Sequence, residues 1–554
     1  MAACGLLLMP DTKILIFMGK RIVNIDKQKM NSGRTVRHLA LMAVCSVSIG
    51  IALLVSRIEP RCCVEWIAGL GSNSVFILLC LVIAAIPALA LSMTRHNQKL
   101  SESRSDLKEL FFDLQGFISG FMVFFAGVII ATVIQRIRLG MDIYPMYLEQ
   151  SLSYIALLEK QHFAVYYLLV AVQVSIGSGL LSIMTVVIFK GSKNPHFALI
   201  LPVLLLKLED ILMASLFGMG SGSFYNGSLY MLTFATLKYK ISANVHSTRI
   251  FVSILVLIIV LAVSYLFRTL GISAGKRTGL KVVIEKLFIC LLLFIQTFCV
   301  IRGVLKYVND IGESINLSFI SHVFDNVHFT FFFGLTILLF ATSENSDQRT
   351  LKTCVRDILR NILYSLLAFI TVCISFIVLF APNLSFERSW GRVIHTLSYE
   401  PPVQEYEFIA TSNPVIEETY RSGEAMLKSF LLVILVSLMI SLLFVLVRTL
   451  SNEIVATVVG VIPVLLVYSG NLFEELPWLY YLSPLSWFRL SLNENADSMF
   501  FVYPTFGFKI SMVIVINAIL LILNSLVYVC RIVKNKNVSK KLTKGKTGKA
   551  LENA

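Results

Sequence analysis

The chain has 554 residues, 56% of them hydrophobic and only 15% charged, with a mean hydropathy of +0.79. A soluble protein of this length carries about 25% charged residues, so the composition excludes a soluble globular chain and indicates a polytopic membrane protein. The formal net charge of +15 does not call for nucleic acid. Lys and Arg gather near one end (Lys13, Lys20, Arg21, Lys27, Lys29, Arg34, Arg37) and in "KNKNVSKKLTKGKTGK" near the other. That placement is expected when both termini face the cytoplasm.

The first residues, "MAACGLLLMPDTK", do not read as a cleavable signal, because the apolar run is short and precedes the basic residues. The first true span is expected to serve as the insertion signal. The ten cysteines form no framework. Most, such as Cys45, Cys80, Cys290, Cys299 and Cys373, lie inside apolar runs, where Cys behaves as a small hydrophobe. No C-x-x-C pair points to zinc or redox chemistry.

Apolar runs of about 20 residues mark transmembrane helices, and the chain offers twelve candidates in order. A basic cytoplasmic segment (1–37) precedes 38–56, 75–93, 116–134, 165–189, 197–218 and 249–267, a first six-helix unit over 38–267. A basic linker (268–284) leads to 285–303, 326–343, 362–382, 428–448, 453–473 and 508–530, a second unit over 285–530, and then to a basic cytoplasmic tail (531–554). With a cytoplasmic start, roughly two thirds of the 48 Lys and Arg fall in cytoplasmic segments, as the positive-inside rule requires. The expected fold class is therefore an all-α polytopic membrane protein of about twelve spans in two six-helix repeats, with cytoplasmic amphipathic helices and re-entrant or interfacial outer helices.

The halves share a layout, and their fifth helices align by residue: "ILPVLLL" (200–206) against "VIPVLLV" (461–467). Pro202 then matches Pro463, and Asp210 falls opposite Asn471. This register bears on "ALILPVLLLKLEDILMASLFG", whose Lys207, Glu209 and Asp210 would each be costly at mid-bilayer, by roughly 2.5–3.5 kcal/mol on the lenient scale. With Pro202 at the midplane, the charges sit in the outer third. There Lys207 and Asp210, three apart, can pair on one face, and Lys207 can snorkel outward. Two readings stand: a structural ion pair that locks neighbouring helices, or a polar outer gate.

The link before the third span contains "SRSDLKELFFDL", where Leu107, Leu110, Phe111 and Leu114 form one helical stripe. The matching link has Leu351, Val355, Ile358, Leu359 and Ile362 in "DQRTLKTCVRDILRNIL". Each can be a helix lying on the inner membrane face or a docking helix for a cytoplasmic partner. Before the twelfth span comes "EELPWLYYLSPLSWFRLSLNE", with Pro477 and Pro484 among Trp478, Tyr480, Tyr481, Trp487 and Phe488. Aromatic residues favour the interface, and two prolines prevent a straight span, so a re-entrant or interfacial pair of short helices outside the membrane is expected.

The stretch "LPWLYYLSPLSWF", after a proline-centred fifth helix and before a sixth span, resembles the permeases of ABC-2-type transporters. So does a six-helix unit with an amphipathic segment between its second and third helices. The chain looks like two such permeases fused, with a weaker outer segment, "SFYNGSLYMLTFATLKYK", in the first. The resemblance implies an efflux permease in the plasma membrane, driven by separate cytoplasmic ABC ATPase subunits docked on the two stripes. ATP and Mg would belong to those partners, with no cofactor in this chain. Fused halves would make a further permease copy unnecessary. Membrane lipids are expected partners and nucleic acid is not. Pro202, Lys207, Glu209, Asp210, Pro463, Asn471, Pro484 and Trp487 would line the pathway and its outer gate. The substrate would be a drug, an antimicrobial peptide or a lipid-like molecule.

The chain carries no P-loop of its own. "GISAGKRT" (271–278) is one residue short and lacks the Ser/Thr, and the "GKT" at Gly545 has Lys540 where the leading Gly belongs. Nor is an enzyme expected, since the eight His show no metal spacing. The longest outside loop (381–427) is rich in Glu: Glu387, Glu400, Glu405, Glu407, Glu417, Glu418 and Glu424. A solvated acidic loop accounts for it, and a membrane enzyme using those carboxylates is a lesser alternative. The main rival is a twelve-helix ion-coupled secondary transporter, although "TRHNQKLSESRSD" lacks the Gly-Asp-Arg-Gly-Arg-like signature of the major facilitator class.

Overall fold

The structure is a computed structural model that describes residues 27–55, 74–96, 106–139, 153–217, 254–266, 279–311, 315–341, 351–381, 384–385, 390–399, 414–473, 476–492 and 502–552. It is mostly helical, at 91%, and divides into two compact units, Met1–Gly303 and Val304–Ala554. The boundary falls inside the continuous helix Gly279–Ile311.

The first unit contains α1 (Lys27–Val55), α2 (Ser74–His96), α3 (Asp106–Leu139), α4 (Ser153–Ser192), α5 (Pro195–Phe217) and α6 (Ile254–Leu266). Helix α7 (Gly279–Ile311) carries the unit boundary. Helices α1, α2 and α3 pack on one another, and α4 packs along α2, α3 and α5. Small residues permit this closeness, as is usual where apolar burial cannot drive helix association in lipid. Ser178 of α4 donates to the Gly120 carbonyl of α3 at 3.2 Å. A Cβ on Gly120 would lie 1.9 Å from Ser182 Oγ and 3.0 Å from the Ser178 carbonyl oxygen. On the same α3, Phe117, Phe121 and Phe125 stack at successive turns, with centroids 6.3 and 5.8 Å apart.

The second unit contains β1 (Ile315–Asn316), α8 (Phe319–Val323), α9 (Val327–Phe340), α10 (Leu351–Phe380), β2 (Leu384–Ser385), α11 (Gly391–Tyr399), α12 (Pro414–Thr419), α13 (Ser422–Leu450) and α14 (Glu453–Leu465). A 3-10 helix (Leu466–Leu472), α15 (Pro477–Tyr481), two more 3-10 turns (Pro484–Phe488, Leu490–Leu492) and α16 (Phe506–Glu552) complete it. Strands β1 and β2 pair in parallel, Ile315 with Leu384 and Asn316 with Ser385. Helix α9 is the centre of this unit. Every residue from Phe329 to Phe340 is buried, and α10, α13, α14 and the Pro484–Phe488 turn surround it. Its start is fixed by Asn326, whose side chain accepts from the Phe329 N–H at 2.9 Å, as an N-cap should.

Among the described residues, seven helical stretches are long and apolar enough to cross a membrane: 36–54, 109–138, 175–192, 283–302, 358–380, 422–450 and 506–527. Four other apolar helices among the described residues are shorter, Leu78–Thr94, Ile254–Leu266, Val327–Phe340 and Glu453–Tyr468. Helix α5 carries the three charges Lys207, Glu209 and Asp210. The protein is thus an all-α membrane protein. The described part of each of the twelve stretches picked out by hydropathy falls on a helix, but α9, with 14 residues, is about 21 Å long and buried from Phe329 to Phe340. Hydropathy alone reads such a buried helix and a span alike.

The Glu-rich segment 381–427, expected as a solvated loop, is partly helical. Helices α11 and α12 lie within it, and α13 already begins at Ser422. Glu424 therefore belongs to the first turn of α13, paired with Lys428 at 2.8 Å. Glu417 lies 2.9 Å from His395, and Trp390 donates to the Tyr420 carbonyl at 2.8 Å. Glu387, Glu400, Glu405 and Glu407 lie outside the described residues.

Candidate functional site

Neither amphipathic link is a separate helix lying on the membrane face. Helix α3 runs unbroken from Asp106 to Leu139 and α10 from Leu351 to Phe380, so each stripe is continuous with its span, and the apolar stretches 109–138 and 358–380 already include Leu110, Phe111, Leu114, Ile358 and Leu359. The sequences explain this, since "DLKELFFDLQ" and "LKTCVRDILRNIL" contain no Gly or Pro at which a helix would break. Within the stripes Leu110 and Phe111 are 40% and 57% exposed, and Val355 and Leu359 are 49% and 60% exposed. Leu114 and Ile358 are half-buried. The side chains of Leu107 and Leu351 lie outside the described residues.

Within the segment of the first stripe, just before Leu114, Asp113 turns inward and is 2% exposed. It forms an ion pair with Lys190, in the last turn of α4, and accepts from Ser264 Oγ of α6 at 2.5 Å. Lys190 Nζ is also 3.4 Å from Ser264 Oγ. Three helices are pinned at this point by one carboxylate. The position of Lys190 is favourable in itself, because a cation in the last turn meets the negative end of the helix dipole. In the register that aligns Leu110–Phe111 with Ile358–Leu359, the buried Asn361 holds the position of Asp113. Arg448, two residues from the end of α13 as Lys190 is from the end of α4, lies 3.5 Å from Glu453 of α14.

The two fifth helices differ in form. Helix α5 comes after a two-residue turn in which Lys193 adopts φ 57° and the Asn194 side chain accepts from the His196 N–H at 3.2 Å. It continues as α-helix through Pro202, which is buried. Lys207 is fully buried, so it is enclosed by protein instead of snorkelling along the surface. Glu209 is half-buried, and the Asp210 side chain lies outside the described residues, as does that of Asn471. Helix α14 begins on Asn452, which accepts from the Val455 N–H at 2.9 Å, and holds a half-buried Pro463. Three residues later the backbone tightens into the 3-10 helix that contains Asn471. A proline removes one i→i−4 bond, and 3-10 stretches within a helix mark hinges or strain.

The aromatic segment before α16 folds into a compact knot. Pro484 and Trp487 are buried, and Trp487 Nε1 donates to the Tyr480 carbonyl at 3.0 Å. Ser429 of α13 donates to the Phe488 carbonyl at 3.1 Å, and Phe488 packs edge-on to Phe324 at 5.2 Å. Tyr480 Oη and Lys509 Nζ both donate to the Leu492 carbonyl, at 3.2 and 2.7 Å. Pro484 and Trp487, expected to line the pathway and its outer gate, are buried within their unit. Trp478 and Tyr481 are the exposed aromatics. Burial pushes the Tyr480 phenol well above its ordinary range. It lowers the Arg489 guanidinium, with the neighbouring Asp325 acting in the opposite direction.

Asp113, Lys190, Ser264, Asp325 and Ser491 did not stand out in the sequence. The available signal was a carboxylate inside an otherwise apolar stripe, "ELFFDL", and a lysine closing the apolar run "TVVIFK". Both read equally well as interfacial residues. Compared with family models, curated proteins and solved structures, the chain matches none.

Proposed function

We propose that the chain is the membrane-spanning subunit of an ATP-driven exporter of the ABC-2 type, built from two six-helix repeats with both termini in the cytoplasm of the plasma membrane. The observation that carries this reading is the continuity of α3 and α10 with their amphipathic extensions. Leu110 and Phe111 on one and Val355 and Leu359 on the other leave apolar surface exposed, with Phe111 and Leu359 at matched register. Such a pair suits two copies of a cytoplasmic ATPase. The buried polar residues Asp113 and Asn361, at one register in the two helices, support the repeat.

In this account ATP and Mg bind on the partner subunits, whose closure pushes on the two extensions. Because each extension and its span are one helix, the push is carried directly into the membrane. The Asp113–Lys190–Ser264 cluster couples it to α4 and α6. A pathway lined mainly by the second and fifth helices of each repeat then opens. Pro463 and the 3-10 segment after it give the second copy its bend, and Lys207, Glu209 and Asp210 of α5 give the first copy its polar lining. The substrate class is a drug, an antimicrobial peptide or a lipid-like molecule.

A second reading, an ion-coupled secondary transporter, is favoured by one observation: Asp113 is an enclosed carboxylate beside a lysine, and intramembrane ionisable groups form proton relays in pumps. The variant Leu110→Asp with Leu359→Asp separates the two. On the exporter reading it inserts and stays monodisperse but loses its ATPase partner. Normal assembly of that variant with an ATPase refutes the docking assignment.

A further inference from the structure

We propose that the basic stretch of α16 beyond the membrane binds anionic phospholipid headgroups, with Arg531, Lys534 and Lys536 making the contact. Helix α16 is continuous from Phe506 to Glu552, and no Gly or Pro interrupts it between Phe508 and Lys544. Its membrane portion, 506–527, is only 17% buried. Ile514, Val515, Ile519, Ile522, Leu526 and Val529 are all exposed, so the helix stands in lipid along much of its circumference. Beyond Val529 the helix changes abruptly from apolar to basic. Residues 531–552 contain Arg531, Lys534, Lys536, Lys540, Lys541, Lys544, Lys546 and Lys549 against the single acid Glu552.

Distance decides which of these reach the headgroups. At 1.5 Å per residue, Arg531, Lys534 and Lys536 lie about 6, 10 and 14 Å along the axis from Val527, and Lys540 about 20 Å. Headgroups occupy roughly 5–7 Å on each side of the hydrocarbon, and salt screens charges beyond about 8 Å at physiological strength. The first three basic residues fall within the sum of those lengths. The later lysines fall outside it while the helix stays straight. Headgroup phosphates, dense and at the foot of the helix, are therefore the anions these three meet. The proposal does not depend on the exporter reading.

The test is electron spin resonance of spin-labelled phosphatidylglycerol and phosphatidylcholine in proteoliposomes of the full chain. The fraction of each label held motionally restricted at the protein gives their relative association. The expected result is a preference for phosphatidylglycerol of about two- to five-fold in 0.1 M NaCl, shrinking in 0.5 M NaCl. It falls toward one in R531Q/K534Q/K536Q and persists in K540Q/K541Q/K544Q/K546Q, which removes more charge and serves as the folding and charge control. Inorganic phosphate at matched ionic strength leaves it unchanged. The proposal is overturned by no preference in the parent chain, by an undiminished preference in the first variant, by loss confined to the second, or by competition from free phosphate, which marks a general anion site.

Discussion

Ser491 meets Asp325 twice: its backbone N–H and its hydroxyl both donate to Oδ1 at 2.8 Å, across 166 residues of sequence. The other carboxylate oxygen lies 3.0 Å from His322 Nδ1. One buried aspartate before α9 thus ties the knot before α16 to the centre of the second unit. Asp325→Ala leaves the two half-buried Ser491 donors without their acceptor and should cost about 1–3 kcal/mol, with Asp325→Asn milder because an acceptor remains. Thermal unfolding in mild detergent measures it. An unchanged midpoint for the alanine variant would mean that the knot is held by its apolar packing alone.

Close approach gives a second prediction. A Cβ on Gly334 of α9 would lie 2.3 Å from Leu485 Cδ1 and 2.9 Å from Val464 Cγ1. The Leu485 methyl can rotate away, whereas Val464 sits on α14 with a stiff branched side chain. Gly334→Ala is expected to destabilise by about 1–3 kcal/mol, as overpacking does, and Gly334→Leu to prevent the unit from assembling. Gly423, exposed in the first turn of α13 with nothing within 4 Å of its Cβ, is the control. Gly423→Ala should be neutral or slightly stabilising, and equal losses at both sites would contradict the packing described.

The cluster at the base of α3, α4 and α6 makes a third. Asp113→Asn and Lys190→Met should each destabilise, because the first removes the charge that pairs with the half-buried Lys190 and the second strands the buried Asp113. The double variant should lose less than the sum, with a coupling of about 0.5–3 kcal/mol. If the exporter reading holds, each single variant should also lower transport more than it lowers ATPase association, since the cluster passes motion onward and does not touch the partner. Strict additivity of the two stabilities would show that Asp113 and Lys190 do not rely on each other.

Much of the helix placement could be read from apolar run length, because a span needs about 20 such residues whatever surrounds it. What hydropathy missed were the extensions. Helix α3 starts at Asp106 and α4 at Ser153, well before their apolar runs, since nothing in those segments breaks a helix. Among the site residues, the stripe of Leu110, Phe111, Val355 and Leu359 was visible from spacing and is exposed. The role of Trp487 was not visible. An aromatic-rich segment with two prolines looks interfacial from either side, and only the packing shows that Trp487 turns inward while Trp478 turns outward. Likewise Asp113 and Lys190 are 77 residues apart, and no local pattern links them.

The central claim is that a separate ATPase works through the two helix extensions. Its most direct test is purification of the tagged full chain from its native membranes in mild detergent, with identification of every co-purifying protein and an assay of vanadate-sensitive ATP hydrolysis. The account predicts a P-loop ATPase that co-purifies with the parent chain, and hydrolysis that disappears with it in the Leu110→Asp, Leu359→Asp variant. A chain that purifies alone and without ATPase activity in several detergents, yet moves substrate in vesicles under a proton gradient, would contradict it.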